Sequence, residues 1–166
     1  MIPRPQTAEA APYYFTYINR VTGDDPLAAL ENQLEEALFS AISEEKSLRY
    51  APDKWSIRQV LNHVTDTERA FTFRALWFAR GLESPLPSYD QNVAASGAEA
   101  DQVSWAAHVE EFRRVRLSTI SLFRNMPSQA WARGIASDNL FTMRALAYII
   151  PGHFAHHVSV LRERYL

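Results

Sequence analysis

Four stretches of this chain carry apolar residues at helical spacing, and none carries a sustained alternation of period two. A chain so patterned has no half-buried strands to assemble into a sheet, so its helices must bury their stripes against one another. The first stretch follows Asp24-Asp25, opens with Pro26 at the favoured first helical position and reads to about Lys46. Leu27, Leu30, Leu34, Ala37, Leu38 and Ala41 or Ile42 form its stripe. The second opens at a Ser56/Gln59 capping box and reads to Arg80, with Gly81 as its stop. The third runs from a Ser104 cap to Met126 before Pro127, and the fourth follows a Thr142 cap and reaches Tyr165. Four helices of about 20 residues predict an all-α four-helix bundle. Residues 81–103 read as one long loop, long enough to suggest a function, and 128–140 as irregular chain with a short turn. Residues 1–23 read as a tail that packs partly, because Tyr13, Tyr14, Phe15, Tyr17 and Ile18 are costly to leave in water; residues 24–166 form the bundle.

At 166 residues the chain is one domain by length and can bury a core without staples. Seventeen Lys and Arg against nineteen Asp and Glu give a net charge of −2, which provides no basic field for nucleic acid or an anionic membrane. No cysteine is present, which excludes a disulfide scaffold, a Cys-ligated metal and a cysteine nucleophile, and any thiol chemistry must use a thiol brought from outside. No run approaches the length of a membrane span, and the first ten residues lack the apolar core of a signal peptide. The default expectation is a cytoplasmic protein.

The fourth helix departs from an ordinary core stripe. Leu146, Ile149 and Ile150 are followed by His153 and His157, then by Val160 and Leu161, so two histidines stand one turn apart where leucines belong. Imidazoles at i and i+4 can converge on one metal ion. Core histidines bonded to backbone or water also fit this pattern. Pro151 lies just before them and predicts a kink near Ala147.

On the second helix, His63 flanks the stripe Ile57, Val60 or Leu61, Val64, Glu68, Phe71, Ala75 and Phe78, and reads either as a boundary residue or as a third imidazole. Three imidazoles from two helices would leave a coordination position open. Glu68 lies roughly 140° around the helix from His63. It reads as a general base, as an anchor behind the ligands, or as an ion-pair partner of a third-helix arginine; Thr67 lies one turn from His63. His156 is a flank residue or an outer hydrogen-bond partner, and His108 a boundary residue able to reach the site. Arg113, Arg114 and Arg116, adjoined by Glu110 and Glu111, read as a solvated face.

The stretch from Tyr50-Ala51-Pro52-Asp53-Lys54-Trp55-Ser56 through His63 to Arg69 resembles the tryptophan–serine opening and first-histidine helix of the DinB-like family. Gly152-His153-Phe154-Ala155-His156-His157 with Leu161-Arg162-Glu163-Arg164-Tyr165 resembles its last helix; Arg74-Ala75-Leu76, Tyr89-Asp90-Gln91 and Arg113-Arg114-Val115-Arg116 also fit. The resemblance covers about residues 25–165. It implies an up-up-down-down bundle, a homodimer, and a divalent metal such as zinc or nickel on His63, His153 and His157. Relatives often carry Glu where this chain has Phe154, so the resemblance supplies no acid–base carboxylate there.

Two classes of function follow from this resemblance. One is a metal-dependent enzyme, either a thiol-dependent transferase using an external low-molecular-weight thiol or a hydrolase, acting on a small molecule that the sequence does not name. The other is a non-catalytic metal-binding module linked to stress or to interaction. An enzyme predicts an open cleft built from the 81–103 loop with Trp77, Tyr89 and Phe154. A closed module predicts His108 or Glu68 as a fourth ligand.

Overall fold

The structure is a computed structural model and describes residues 2–48, 51, 54–134 and 140–166. Met1, Tyr50, Pro52 and Asp53 of the segments discussed above, and residues 135–139 of the irregular stretch, lie outside the described residues. Seven α-helices are present among those described: α1 Phe15–Ile18, α2 Pro26–Asn32, α3 Leu38–Ala41, α4 Ile57–Ala79, α5 Gln91–Gly97, α6 Trp105–Arg124 and α7 Met143–Arg164. No strand forms among the described residues, only two isolated bridges, Ala10 with Phe141 and Gly134 with Thr142.

The three long helices start where their caps place them. Ser56 Oγ accepts from Gln59 N at 3.0 Å while Gln59 Oε1 accepts from Ser56 N at 2.9 Å, closing the capping box of α4. Ser104 and Thr142 cap α6 and α7 by accepting from Ala107 N and Ala145 N. Gly81 ends α4 with φ of 72°, a left-handed conformation that favours glycine. α7 continues through Pro151.

The first stretch is not the single helix expected over 26–46. α2 ends at Asn32, a 3₁₀ turn covers Gln33–Glu35, and α3 begins only at Leu38. Partners from α6 take up the freed carbonyls. Arg113 Nε donates to Leu34 O at 3.1 Å and Arg116 Nη1 to Leu30 O at 3.4 Å. The 81–103 segment also differs from a plain loop, because Asp90 caps α5 through Asn92 N and Val93 N and a second turn spans Ala100–Gln102.

Helix directions correct the up-up-down-down order. Arg58, at the start of α4, bonds Ser47 and Glu44, and Glu44 also accepts from Trp105 N at the start of α6. At the far end Arg124 of α6 pairs with Glu31 of α2. Tyr165, at the end of α7, donates to Trp55 O beside the start of α4. Hence α4 and α6 run parallel to each other, and α2–α3 and α7 run against them. A parallel pair of long helices needs a crossover spanning the bundle, about 34 Å for 23 residues, and this is the physical reason for the long 81–103 connection.

The apolar interior divides in two. One cluster gathers Leu30, Ala75, Phe78, Ile120, Phe123, Leu146 and Ile149 with Ile2, Ala10, Ile18 and Val21 of the N-terminal segment. The other gathers Leu38, Phe39, Ile57, Leu61, Trp105, Phe112, Phe154 and Leu161. Between them, at the middle of α4, α6 and α7, lies a buried polar layer of His63, Glu68, Arg116 and His153.

The N-terminal segment is tied firmly onto α7. Tyr148 Oη donates to Ile2 O at 2.8 Å, Arg144 pairs with Glu9 at 2.6 Å, and Arg4 donates to the carbonyls of Ile18, Val21 and Gly23. These bonds carry Tyr13, Tyr14 and Tyr17 to the middle of the bundle.

Candidate metal centre

His63 projects from α4, and His153 and His157 from successive turns of α7. His153 Nε2 lies 3.3 Å from His63 Nε2 and 3.1 Å from His157 Nε2, and one nitrogen of each of the three lies within 4.8 Å of the others. Three nitrogens held tetrahedrally at a zinc–nitrogen distance of about 2.0–2.1 Å lie about 3.3–3.4 Å apart, so the two spacings about His153 fit a single ion. A hydrogen bond between two neutral imidazoles uses one proton, and His153 Nε2 cannot both donate to and accept from two neighbours with its single site. The donor set therefore suits a shared cation better than mutual hydrogen bonding.

Electrostatics favour the ligand form. Burial pushes His63 down to about 4, with Asp66 opposing. It pushes His157 down to about 3, helped by His63 and His156. His153 is held well below its ordinary value by burial and then by His157, His63 and His156. All three are neutral at pH 7, with lone pairs available.

Neighbours fix the rings. Thr67 Oγ1 sits 3.4 Å from His63 Nδ1, where it can take that proton and leave Nε2 free as a ligand atom. Trp55 packs at 5.2 Å on the His63 ring, and Tyr17 edge-on at 5.2 Å on His153. His156 stays on the flank, 5.1 Å from the His157 ring and 5.5 Å from Tyr17.

Neither residue considered as a fourth ligand is available. Glu68 is bound by Arg116 through both Nε and Nη2, at 2.9 and 2.8 Å, with both side chains buried. Arg116 thus lies inside, not on the solvated face read from the sequence; Arg113 is drawn to Leu34 O and Glu35, and Arg114 pairs with Glu110. His108 Nε2 is engaged with Ala100 O at 2.8 Å, holding the end of the long connection. Among the described residues, His63, His153 and His157 form the one group of three or more His, Asp and Glu side chains placed to share an ion.

A cleft of about 220 Å³ opens onto His63 and His153, lined also by Thr67, Phe71, Arg74, Tyr89 and Phe141. Tyr89 does come from the long connection. Trp77 and Phe154, expected in the wall, do not line it. Trp77 Nε1 donates to Ser84 O at 3.0 Å, and Phe154 stacks on Phe112 at 4.9 Å in the second core. Their places are taken by Phe71, Phe141 and the tail residues Tyr13, Tyr14 and Tyr17, which sequence reasoning missed. The signal for the tail was the cost of exposing its aromatics, but nothing in the sequence says against which helix they pack.

Three comparisons bear on this arrangement. The sequence pattern of the DinB superfamily matches residues 27–161. Among solved structures, YfiT from Bacillus subtilis superposes with a TM-score of 0.65 at 15% identity, over 96% of this chain and 91% of its own. That protein is described as a probable metal-dependent hydrolase with an unusual four-helix bundle topology. No curated protein matches the chain in sequence.

Proposed function

The chain belongs to the DinB superfamily, and from that premise we propose that it is a metal-dependent enzyme of hydrolytic type, holding a divalent ion on His63, His153 and His157 and acting on a small molecule in the adjoining cleft. The observation that carries this reading is the convergence of three neutral imidazole nitrogens, 3.1 and 3.3 Å apart in two of their pairs, with two of the rings, His63 and His153, lining an open cleft. The description of YfiT as a probable metal-dependent hydrolase supports it. Zinc or nickel suits a three-imidazole donor set.

A divalent ion bound there supplies Lewis acidity to the reaction. The protein's own residues do the positioning. Thr67 sets the His63 tautomer, Tyr17 and Trp55 hold the rings of His153 and His63, and the Glu68–Arg116 pair fixes α4 to α6 behind them. Tyr14, Tyr17, Phe71 and Phe141 keep water from one wall of the cleft.

A second reading, transfer of an external low-molecular-weight thiol, draws support from a different observation. Among the described residues the cleft is lined by no carboxylate able to serve as general base, and Glu68 is tied to Arg116. A thiol, acidic enough to ionise near neutrality, needs such a base less than water does.

The test is elemental analysis of the untagged protein beside His63→Ala, His153→Ala and His157→Ala, followed by hydrolysis assays with and without added thiol. A single ion per chain, lost in each variant while the helical spectrum survives, is the expected result. A wild type that takes up no zinc, nickel or manganese overturns the proposal, and the histidines are then polar core residues.

A further inference from the structure

Arg74, on α4 three turns beyond His63, shares the cleft with His63 and His153, and its side chain is not satisfied by the protein. Only 9% of the residue is exposed. A guanidinium offers five N–H donors. Nη2 donates to Pro87 O at 2.8 Å; Nε is buried without any acceptor, and Nη1 donates to no acceptor among the described residues. Among the described residues the other buried arginines are provided for: Arg116 by Glu68 and Gln33, Arg58 by Glu44, Ser47 and the Asp101 and Val103 carbonyls. Arg74 has no carboxylate partner among the described residues, although leaving a buried charge unpaired costs several kcal/mol.

The rest of the cleft does not balance this charge. Its described lining holds no Asp or Glu. Asp66, whose charge reaches His63 and Tyr89, is already engaged by Asn62 at 2.9 Å and Arg69 at 3.0 Å. Three neutral imidazoles bring no negative charge to a divalent ion either, so the loaded cleft carries the full charge of the ion plus that of Arg74. The same cleft is lined by the Tyr14 phenol, which feels the charge of Arg74, and by the rings of Phe71 and Phe141. A cleft of about 220 Å³ lies below the typical range of roughly 300–1,000 Å³ for ligand pockets, which calls for a compact occupant.

We propose that Arg74 is the anion-binding residue of this cleft and that the substrate is a compact organic carboxylate with an apolar or aromatic body, its carboxylate on the Arg74 guanidinium in the cleft that His63 and His153 also line. The inference deepens the metal-enzyme reading and rests on it for the claim that the anion is a substrate. A single monovalent guanidinium among apolar walls matches a monoanion, and a planar carboxylate matches its N–H geometry.

The probe is benzoate, with benzamide as its neutral counterpart, titrated calorimetrically into metal-free and zinc-loaded full-length protein. Metal-free wild type should bind benzoate at least ten-fold tighter than benzamide. Arg74→Met should lose at least ten-fold in benzoate affinity with zinc stoichiometry and helical spectrum unchanged, and Arg74→Lys should recover part of it. Benzoate bound no better than benzamide, bound equally by Arg74→Met, or bound only when zinc is present overturns the proposal. Inorganic phosphate displacing benzoate at equal concentration overturns the carboxylate assignment. Should Arg74→Met fail to fold, the wild-type comparison of benzoate with benzamide decides. A wild type that binds benzoate through Arg74 but takes up no zinc supports the subsite and overturns the metal reading, so the two are separable.

Discussion

The backbone of Tyr17 lies so close to Gly152 that a Cβ added to the glycine would overlap the Tyr17 carbonyl. The contact sits one residue before His153, and the Tyr17 ring is the one that packs edge-on against that histidine. Gly152→Ala forces α1 away from α7, because backbone rather than a flexible side chain is in the way. We expect a loss of roughly 1–3 kcal/mol in urea unfolding, the usual cost of overpacking. Faster amide exchange should be confined to residues 12–20, with zinc stoichiometry retained.

The buried Glu68–Arg116 pair gives a prediction that separates a structural carboxylate from a catalytic one. Glu68→Gln leaves the Arg116 guanidinium, fully buried over Phe112 and Phe154, with its counter-charge gone. The expected cost is about 3–5 kcal/mol in chemical denaturation, with metal content unchanged. Loss of the ion with stability preserved would instead make Glu68 part of the metal centre.

Helical phase carries much of this structure, and the particular residues show where it stops. His153 and His157 are legible because a four-residue spacing on one helix is a local property. The ends of α4, α6 and α7 are legible because Ser56, Ser104 and Thr142 cap them by local hydrogen bonds. His63 needed both its phase and the family resemblance, since its position beside the stripe fits a boundary residue equally well. What phase cannot give is tertiary choice. Arg113, Arg114 and Arg116 crowd one turn of α6, and only the packed structure shows Arg116 turned inward to Glu68. The break between α2 and α3 depends on donors from α6, and the aromatic wall of the cleft depends on where the first 20 residues dock. Arg74 stands out in sequence only within a segment that fits the family resemblance, and its place in the cleft is not legible there, because what marks it is the absence of an acceptor in three dimensions.

Metal-free protein should lose stability as the pH falls. Burial lowers His63 to about 4 and His157 to about 3, below the ordinary value of 6.5 that each regains on unfolding. Between those values the unfolded chain binds protons that the folded chain does not, so acid favours unfolding. The loss begins as the pH drops through about 6.5 and levels off near the folded values. By pH 5 it is on the order of 2 kcal/mol for each of the two, with His153 adding in the same direction. Denaturation of the metal-free protein at pH 7 and pH 5 measures it. Replacing both His63 and His157 by Gln should shrink the difference to the part His153 supplies, and an unchanged pH dependence would show that these two imidazoles titrate normally.

Thr67 tests whether the orientation of His63 matters to metal affinity. Its hydroxyl lies 3.4 Å from His63 Nδ1 and also hydrogen-bonds Tyr89 on the long connection. Thr67→Val keeps the shape and removes the acceptor, so the ring is freer to turn and Nδ1 loses its proton partner. Partners of this kind are worth roughly 10–100-fold in metal affinity, and the long contact here places the expectation at about ten-fold weaker zinc binding. Competition with a chromogenic chelator reads the change directly. Fold stability should fall by about 1–3 kcal/mol, because the buried His63 Nδ1 proton loses its acceptor, and urea unfolding of the metal-free protein measures that separately. Equal zinc affinity in wild type and Thr67→Val would mean that Trp55 and the packing of α4 hold the ring without help from the hydroxyl.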